Sequence, residues 1–389
     1  MLTLIESGEI YAPAPLGRQD VLILGSRIAR IGKVDRRALM SLGLELEVID
    51  ASGCLVIPGL IDPHQHLLGG SGEKGFSTQT PEIYASELAL AGITTVVGCL
   101  GVDTTTKTMP ALLAKAKGLN EEGLTAYIWS GGYNVPPTTL TNSVREDILF
   151  ISEVIGAGEV AISDARANEH NPLELSKLVR DAYVGGLLSQ KCGVTHFHVG
   201  EEKARLKLLR TLIDEYEIDP ALIYPTHVER NEELMLEAIE FAGRGSYVDV
   251  DTVEQDLPKW LRFYLDNGGD PARLTASSDA SISSPRSLFE QIRSCVLEHN
   301  FSLEQTLALV TANTAAVLKL NGKGQLKVGC DADALVLRKS LLEIKDVIAN
   351  GRCLVRDGQL TFSEKFLSES NRQIRLEGKL ARSEESINE

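Results

Sequence analysis

A chain of 389 residues exceeds what one hydrophobic core fills, since single cores stop growing near ~250–300 residues, so a large domain with a smaller satellite is expected. Hydrophobic residues at 43% and charged residues at 24% suit a soluble globular protein, and no run of ~18 or more apolar residues offers a membrane span. A net charge of −15 argues against nucleic acid or an anionic membrane as partner, because either would require a cationic face.

The chain opens on short β-type runs. Asp20-Val21-Leu22-Ile23-Leu24, the glycine turn Gly25-Ser26-Arg27 and Ile28-Ala29-Arg30-Ile31-Gly32 read as a hairpin. The same texture returns near the end, in Ala332–Leu337 and Val347–Val355, so the two ends are expected to form one discontinuous β-sandwich domain from residues 1–57 and 318–362. Between them, residues 58–317 alternate apolar runs with helical stretches such as Pro81–Ala91 and Ala204–Tyr216. Eight candidate strands can be counted: Leu55–Asp62, Thr94–Gly101, Ala126–Tyr133, Gly158–Asp164, Thr195–Gly200, Ile223–Val228, Ser246–Thr252 and Leu274–Ala280. Parallel strands joined by crossover helices in that number predict an α/β fold, a TIM-like (β/α)8 barrel. An open doubly wound sheet is the alternative, but no G-x-G-x-x-G opens a helix after the first strand. Residues 363–389 are dense in charge without a core face and read as a solvated tail.

Six cysteines lie scattered at 54, 99, 192, 295, 330 and 353 with no C-x-x-C pair, and the first residues carry neither a basic region nor a long apolar segment. A reduced, cytoplasmic enzyme without structural disulfides is expected.

Five of the seven histidines fall in three short patterns at strand ends, His64-Gln65-His66, His196-Phe197-His198 and Thr226-His227-Val228. Residues two apart on a strand point to the same side, so His64 and His66 can reach one ion together. Of the second pair, His198 is taken as the ligand because barrel chemistry sits at the C-terminal ends of strands, and His196 is expected to pack or hydrogen-bond beside it. His170 and His299 read as surface histidines. Glu159 and Asp279, at two further strand ends, bring the donors to a number that holds two divalent metals. An acid at the position of Asp279 can bind an ion and also take the proton of a metal-bound water, whose pKa is drawn to about 7.

These segments resemble the isoaspartyl (β-aspartyl) dipeptidases of the amidohydrolase superfamily over most of the chain. The resemblance is carried by Pro58-Gly59-Leu60-Ile61-Asp62-Pro63-His64-Gln65-His66, Thr80-Pro81-Glu82, Gly132-Tyr133-Asn134-Val135-Pro136, Ala161-Ile162-Ser163-Asp164-Ala165-Arg166, Pro225-Thr226-His227-Val228-Glu229-Arg230-Asn231 and Ser277-Ser278-Asp279. It implies a β-sandwich flanking a barrel with two zinc ions, one bound by His64, His66 and Asp279 and the other by His198 and His227. A bridging hydroxide would attack the amide, with Asp279 as general base and then acid. Glu73, in the loop Gly69-Gly70-Ser71-Gly72-Glu73, would hold the substrate's amino group and Tyr133 would polarise the scissile carbonyl. Arg166, Arg230 and Ser283 would grip carboxylates, and Ser71 would line the same site. The resemblance also implies a homo-oligomer, with an octamer as one candidate assembly. A β-aspartyl dipeptide carries one ammonium and two carboxylates, which one glutamate and two arginines complement, arginine being suited to bidentate carboxylate capture.

The chain departs from the family where a carboxylated lysine usually bridges the metals at the end of the fourth strand, because Glu159 stands there and no lysine lies in that strand. Glutamate offers the same single charge and two oxygens without carbon dioxide, so Glu159 is expected to bridge directly. Val102, where the family tends to show threonine, and Ser71 bear on substrate preference. Two other readings keep the fold: an amidohydrolase acting on another N-acyl or cyclic amide, as a deacylase or dihydroorotase does, and a catalytically silent barrel.

Overall fold

The computed structural model describes residues 2–370. Eight parallel strands make the barrel: β6 (Leu60–Gln65), β7 (Ile93–Gly98), β8 (Thr125–Ser130), β9 (Val154–Ile162), β10 (Thr195–Val199), β11 (Ile223–Thr226), β12 (Val248–Asp251) and β13 (Leu274–Ser277). β6 to β11 are hydrogen-bonded in chain order, and β12 pairs with β13. The ring closes between β13 and β6 through the Gln65–Ala280 bridge and the His66 amide donating to the Ala280 carbonyl at 3.0 Å. Between β11 and β12 the backbone join is a single 3.5 Å bond from the Val228 amide to the Asp249 carbonyl, reinforced by the Thr226 hydroxyl donating to the Asp249 carboxylate at 2.8 Å. The strands are buried on both faces, which is why they read as continuous apolar runs rather than as alternation. The inner floor of the barrel is filled by Ile61, Val97, Trp129, Ile155 and Tyr224, capped by Ala315 and Val317 from the helix Ala312–Val317.

The chain's two ends share one nine-stranded sheet. Its strands, named to keep chain order, are β1 (Leu2–Tyr11), β2 (Pro15–Leu24), β3 (Arg27–Gly32), β4 (Leu46–Asp50), β5 (Cys54–Pro58), β14 (Ala334–Arg338), β15 (Glu343–Ala349), β16 (Arg352–Arg356) and β17 (Gln359–Leu360). The seam is β5 against β14, antiparallel from Ala334 opposite Pro58 to Arg338 opposite Cys54. Hydrogen bonding is continuous along the sheet, with β4 branching off β1, so the expected sandwich is one sheet curled around its own core. Side-chain alternation divides its faces: Val56, Val336 and Ile348 fill that core, while Leu55, Ile57, Leu335, Leu337 and Val347 pack into the barrel's hydrophobic layer.

The run Leu55–Asp62, expected to be one strand, is two. It breaks at Gly59, so that β5 joins the sheet and β6 the barrel. A Cβ on Gly59 would sit 2.2 Å from Thr94 Oγ1, a packing demand that leaves no trace in periodicity. The described part of the charged tail is a short helix, Phe366–Glu369, whose Phe366 ring lies 5.7 Å from that of Tyr84. Residues 371–389 of that expectation lie outside the described residues. No described helix is long and apolar enough to cross a membrane.

Candidate metal centre and substrate cavity

His64 and Gln65 close β6 and His66 follows directly; Glu159 lies within β9, His198 in β10, His227 just past β11, and Asp279 two residues past β13. The four histidines, Glu159 and Asp279 meet at the C-terminal mouth of the barrel. Glu159, fully buried, stands at the centre with each carboxylate oxygen facing a different set of nitrogens. Its Oε2 lies 3.4 Å from His64 Nε2 and 3.9 Å from His66 Nε2. Its Oε1 lies 2.7 Å from His198 Nδ1 and 3.6 Å from His227 Nε2. Asp279 Oδ1 completes the first set, 3.1 Å from His66 Nε2 and 3.4 Å from His64 Nε2.

Three of these inward atoms, His64 Nε2, Glu159 Oε2 and Asp279 Oδ1, are buried without a hydrogen-bond partner. Leaving such groups bare costs about 1–3 kcal/mol each, which a shared cation would offset in one step. The donor set of imidazole nitrogen and carboxylate oxygen suits a borderline divalent ion. Glu159, His198 and His227 form one compact ligand group, and Glu159 belongs as well to a group with His64, His66 and Cys99. The residues therefore fit two ions with Glu159 common to both.

Backbone and neighbours hold the donors in place. His227 at φ 62° and Asp279 at φ 44° sit in the left-handed region, a strained conformation of the kind that gathers at functional sites. Asp62, beneath them, accepts the amides of His64 and Ser278 at 3.2 Å each and so ties β6 to the turn carrying Asp279. Asp251, at the end of β12, accepts from His227 Nδ1 at 2.6 Å, and Asp164 accepts from His198 Nε2 at 2.8 Å. Partners of this kind fix the ring and its tautomer. Burial alone would favour the neutral acid at Glu159, but His64, His198 and His227 hold its carboxyl well below the ordinary range. Asp279 is likewise lowered against its burial, by His64 and His66. Both are anions.

Beside this cage opens a cavity of about 930 Å³ lined by Ser71, Glu73, Tyr133, Arg166, Arg230 and Ser283, among others. Arg166 is clamped by Asp164 in a two-pronged contact, Nε to Oδ1 at 2.9 Å and Nη2 to Oδ2 at 2.7 Å, and its Nη1 donates to Glu73 at 2.9 Å. Arg230 is anchored by its Nε on the Val199 carbonyl at 2.7 Å, leaving its outer edge loosely paired with Glu201 at 3.5 Å. Asn231 then caps the helix Glu232–Gly243, so the chain turns from β11 through His227 and Arg230 into a helix without slack. Tyr133 brings its hydroxyl within 3.0 Å of His198 Nδ1, and burial followed by the Glu159 charge raises its pKa well above the ordinary phenol value, so it is a donor. Ser283 reaches back to the Asp279 carbonyl at 3.5 Å. The glycine loop is fastened by Thr80, whose hydroxyl accepts from the Gly70 amide and donates to the Ser281 carbonyl, both at 2.6 Å.

Every residue expected from the sequence to bind metal or substrate thus lies at or around one mouth. Sequence reasoning missed Asp164 and Asp251. The alternation Val248-Asp249-Val250-Asp251, two acids on one face at the end of a buried strand, was a signal for the second. His170, expected at the surface, is buried, with Nε2 within reach of the carbonyls of Ala161 at 2.8 Å and Tyr133 at 3.2 Å. It fastens the Tyr133 loop to β9, and its polar sequence neighbours concealed that.

Residues 260–354 match the amidohydrolase family. Over 93% of this chain and 99% of theirs, the structure is similar to a β-aspartyl dipeptidase from the thermophilic, keratin-degrading Fervidobacterium islandicum AW-1, at 37% identity and a TM-score of 0.89. The same enzyme in complex with a β-Asp-Leu dipeptide aligns at 36% and 0.88. An atrazine chlorohydrolase from Arthrobacter aurescens TC1 shares the fold, at 18% identity and a TM-score of 0.65 over 94% of this chain and 98% of that one. A dihydroorotase from Streptococcus pyogenes is 30% identical over 186 residues, which span 47% of this chain and 39% of the relative's length.

Proposed function

The chain belongs to the β-aspartyl dipeptidases of the amidohydrolase superfamily, and from that premise we propose that it is a zinc-dependent hydrolase cleaving the isopeptide bond of β-aspartyl dipeptides. One observation carries the reading: a cage of inward-facing nitrogens and oxygens shares a mouth with a cavity whose walls hold both signs of charge. Glu73 would receive the ammonium of the substrate, while Arg230 and the clamped Arg166 would receive its carboxylates, with Ser71 and Ser283 adding hydroxyls. His64, His66 and Asp279 would hold one zinc ion and His198 and His227 the other, with Glu159 bridging. Bound there, the pair would supply Lewis-acid polarisation of the carbonyl and acidify the attacking water. Asp279 would take the proton released as the water oxygen bonds to the carbonyl carbon. It would then pass that proton to the departing amine nitrogen as the C–N bond breaks, giving aspartate and a free amino acid. The Tyr133 hydroxyl would donate to the carbonyl oxygen as charge builds on it.

A cytoplasmic homo-oligomer taking a small dipeptide substrate, with neither nucleic acid nor membrane as partner, accompanies this reading. The net charge of −15 supports the last part, and light scattering measures the assembly. The dihydroorotase relative supports a second reading, ring opening of a cyclic amide at the same site. A panel of β-Asp-Leu, α-Asp-Leu, N-acyl amino acids and dihydroorotate separates them. Turnover of β-Asp-Leu alone is expected. Turnover of dihydroorotate without β-Asp-Leu would replace the first reading with the second.

A further inference from the structure

β10 presents two histidines to the barrel interior, and only His198 reaches the ligand cage. His196 lies one layer deeper and is fully buried, its ring stacked on Trp129 with centroids 5.2 Å apart and 21° between planes. Its Nδ1 is 3.0 Å from the Tyr224 carbonyl oxygen, and its Nε2 is 3.0 Å from Nδ1 of His64. A carbonyl oxygen only accepts, so the His196 ring proton is on Nδ1 and Nε2 is the acceptor. His64 must then donate from Nδ1, so in the neutral ring that binds a metal the lone pair is on Nε2, the atom that faces Glu159 and Asp279 with no other partner. The close approach is built in at Gly158, where a Cβ would stand 2.8 Å from the His196 carbonyl oxygen and 2.9 Å from its Cβ.

We propose that His196 is a positioning residue of the metal centre, relaying the Tyr224 carbonyl to His64 so that His64 is locked in the Nδ1–H tautomer with Nε2 ready to ligate. The inference rests on the metal reading above and deepens it. His227 and His198 are oriented by the carboxylates Asp251 and Asp164, whereas His64 is oriented by a neutral ring whose own tautomer is set by backbone. Nothing in the H-x-H motif itself supplies that.

Two measurements on the full chain test it. Neutron diffraction from wild-type crystals is expected to show deuterium on Nδ1 of both His196 and His64; deuterium on His196 Nε2, or none on His64 Nδ1, would overturn the relay. Zinc affinity by chelator competition is then compared for wild type, His196→Phe, which keeps the stack on Trp129, and His196→Gln, which keeps one donor and one acceptor. The Phe variant is expected to hold one of its two zinc equivalents about 10–100-fold more weakly, and the Gln variant to recover most of that loss. A purely structural role would lower the melting temperature of both variants and leave zinc affinity per folded molecule unchanged, which also refutes the proposal. If His196→Phe does not fold, the neutron map decides alone. Wild-type protein that takes up no zinc would strike the dipeptidase reading, and the neutron map, needing no metal, keeps that failure separate from this one.

Discussion

Gly101, just past β7, packs directly against the ligand cage without being a ligand. Its φ is 71°, and a Cβ there would lie 2.5 Å from His66 Cε1, 3.1 Å from His66 Nδ1 and 3.5 Å from Glu159 Oε2. In Gly101→Ala the left-handed backbone costs about 1–2 kcal/mol before any contact is counted. Restoring ordinary contact at 3.4 Å then requires the ring to retreat by about 0.9 Å from its 2.5 Å approach. His66 Nε2 stands 3.1 Å from Asp279 Oδ1, and ligand distances tolerate only about 0.2 Å of error, so the retreat takes the ring out of the donor set. A displacement near 1 Å costs on the order of 100-fold in turnover. Elemental analysis after dialysis against a chelator should find about one metal per chain rather than two, with kcat lowered by that factor and the fold intact by circular dichroism. Two metals retained at wild-type affinity, with unchanged kcat, would refute the reasoning.

Four further outcomes follow from the same geometry. Glu159→Gln should lose metal and activity together, and metal-stripped wild-type protein should regain full activity with zinc in bicarbonate-free buffer; a bicarbonate requirement would mean that a carbamate, not Glu159, bridges. Tyr133→Phe removes one donor to the carbonyl oxygen and should cut kcat about 100–1,000-fold with KM nearly unchanged, as steady-state kinetics on β-Asp-Leu would report. Arg230→Ala should act in the opposite sense, raising KM for β-aspartyl dipeptides by about 10-fold or more with a smaller loss in kcat. Burial pushes the thiols of Cys192 and Cys295 up to about 11 and 12. They stay protonated at pH 8, so alkylation followed by peptide mass spectrometry should leave both unmodified in the native protein. Because their folded pKa values lie above the unfolded 9.0, the stability tied to them is whole below pH 9 and is lost as pH rises through about 11 and 12.

The barrel strands were legible because burial on both faces writes itself as unbroken apolar runs, and the ligands because H-x-H at a strand end has few other uses. What escaped depended on contacts far apart in sequence. Asp164 meets His198 across 34 residues and Asp251 meets His227 across 24, and Asp164, in the loop after β9, looks like any solvated acid until the fold is closed. The break at Gly59 was hidden for a related reason, since the residue that demands it, Thr94, belongs to the next strand. His196 shows the converse: its spacing from His198 announced a shared orientation, and only depth along the barrel axis separates the residue facing the cavity from the one behind it.

The seam between β5 and β14 has a consequence for biosynthesis. All of Cys54–Pro58 is buried, yet the strand that covers its edge begins at Ala334. While the ribosome makes the intervening barrel, this apolar ribbon waits with unsatisfied amides and carbonyls, a template for pairing with any other nascent chain. Shortening the chain before Arg338 would leave that edge open for good, so translation stalled late in the message should yield aggregates rather than a smaller soluble enzyme.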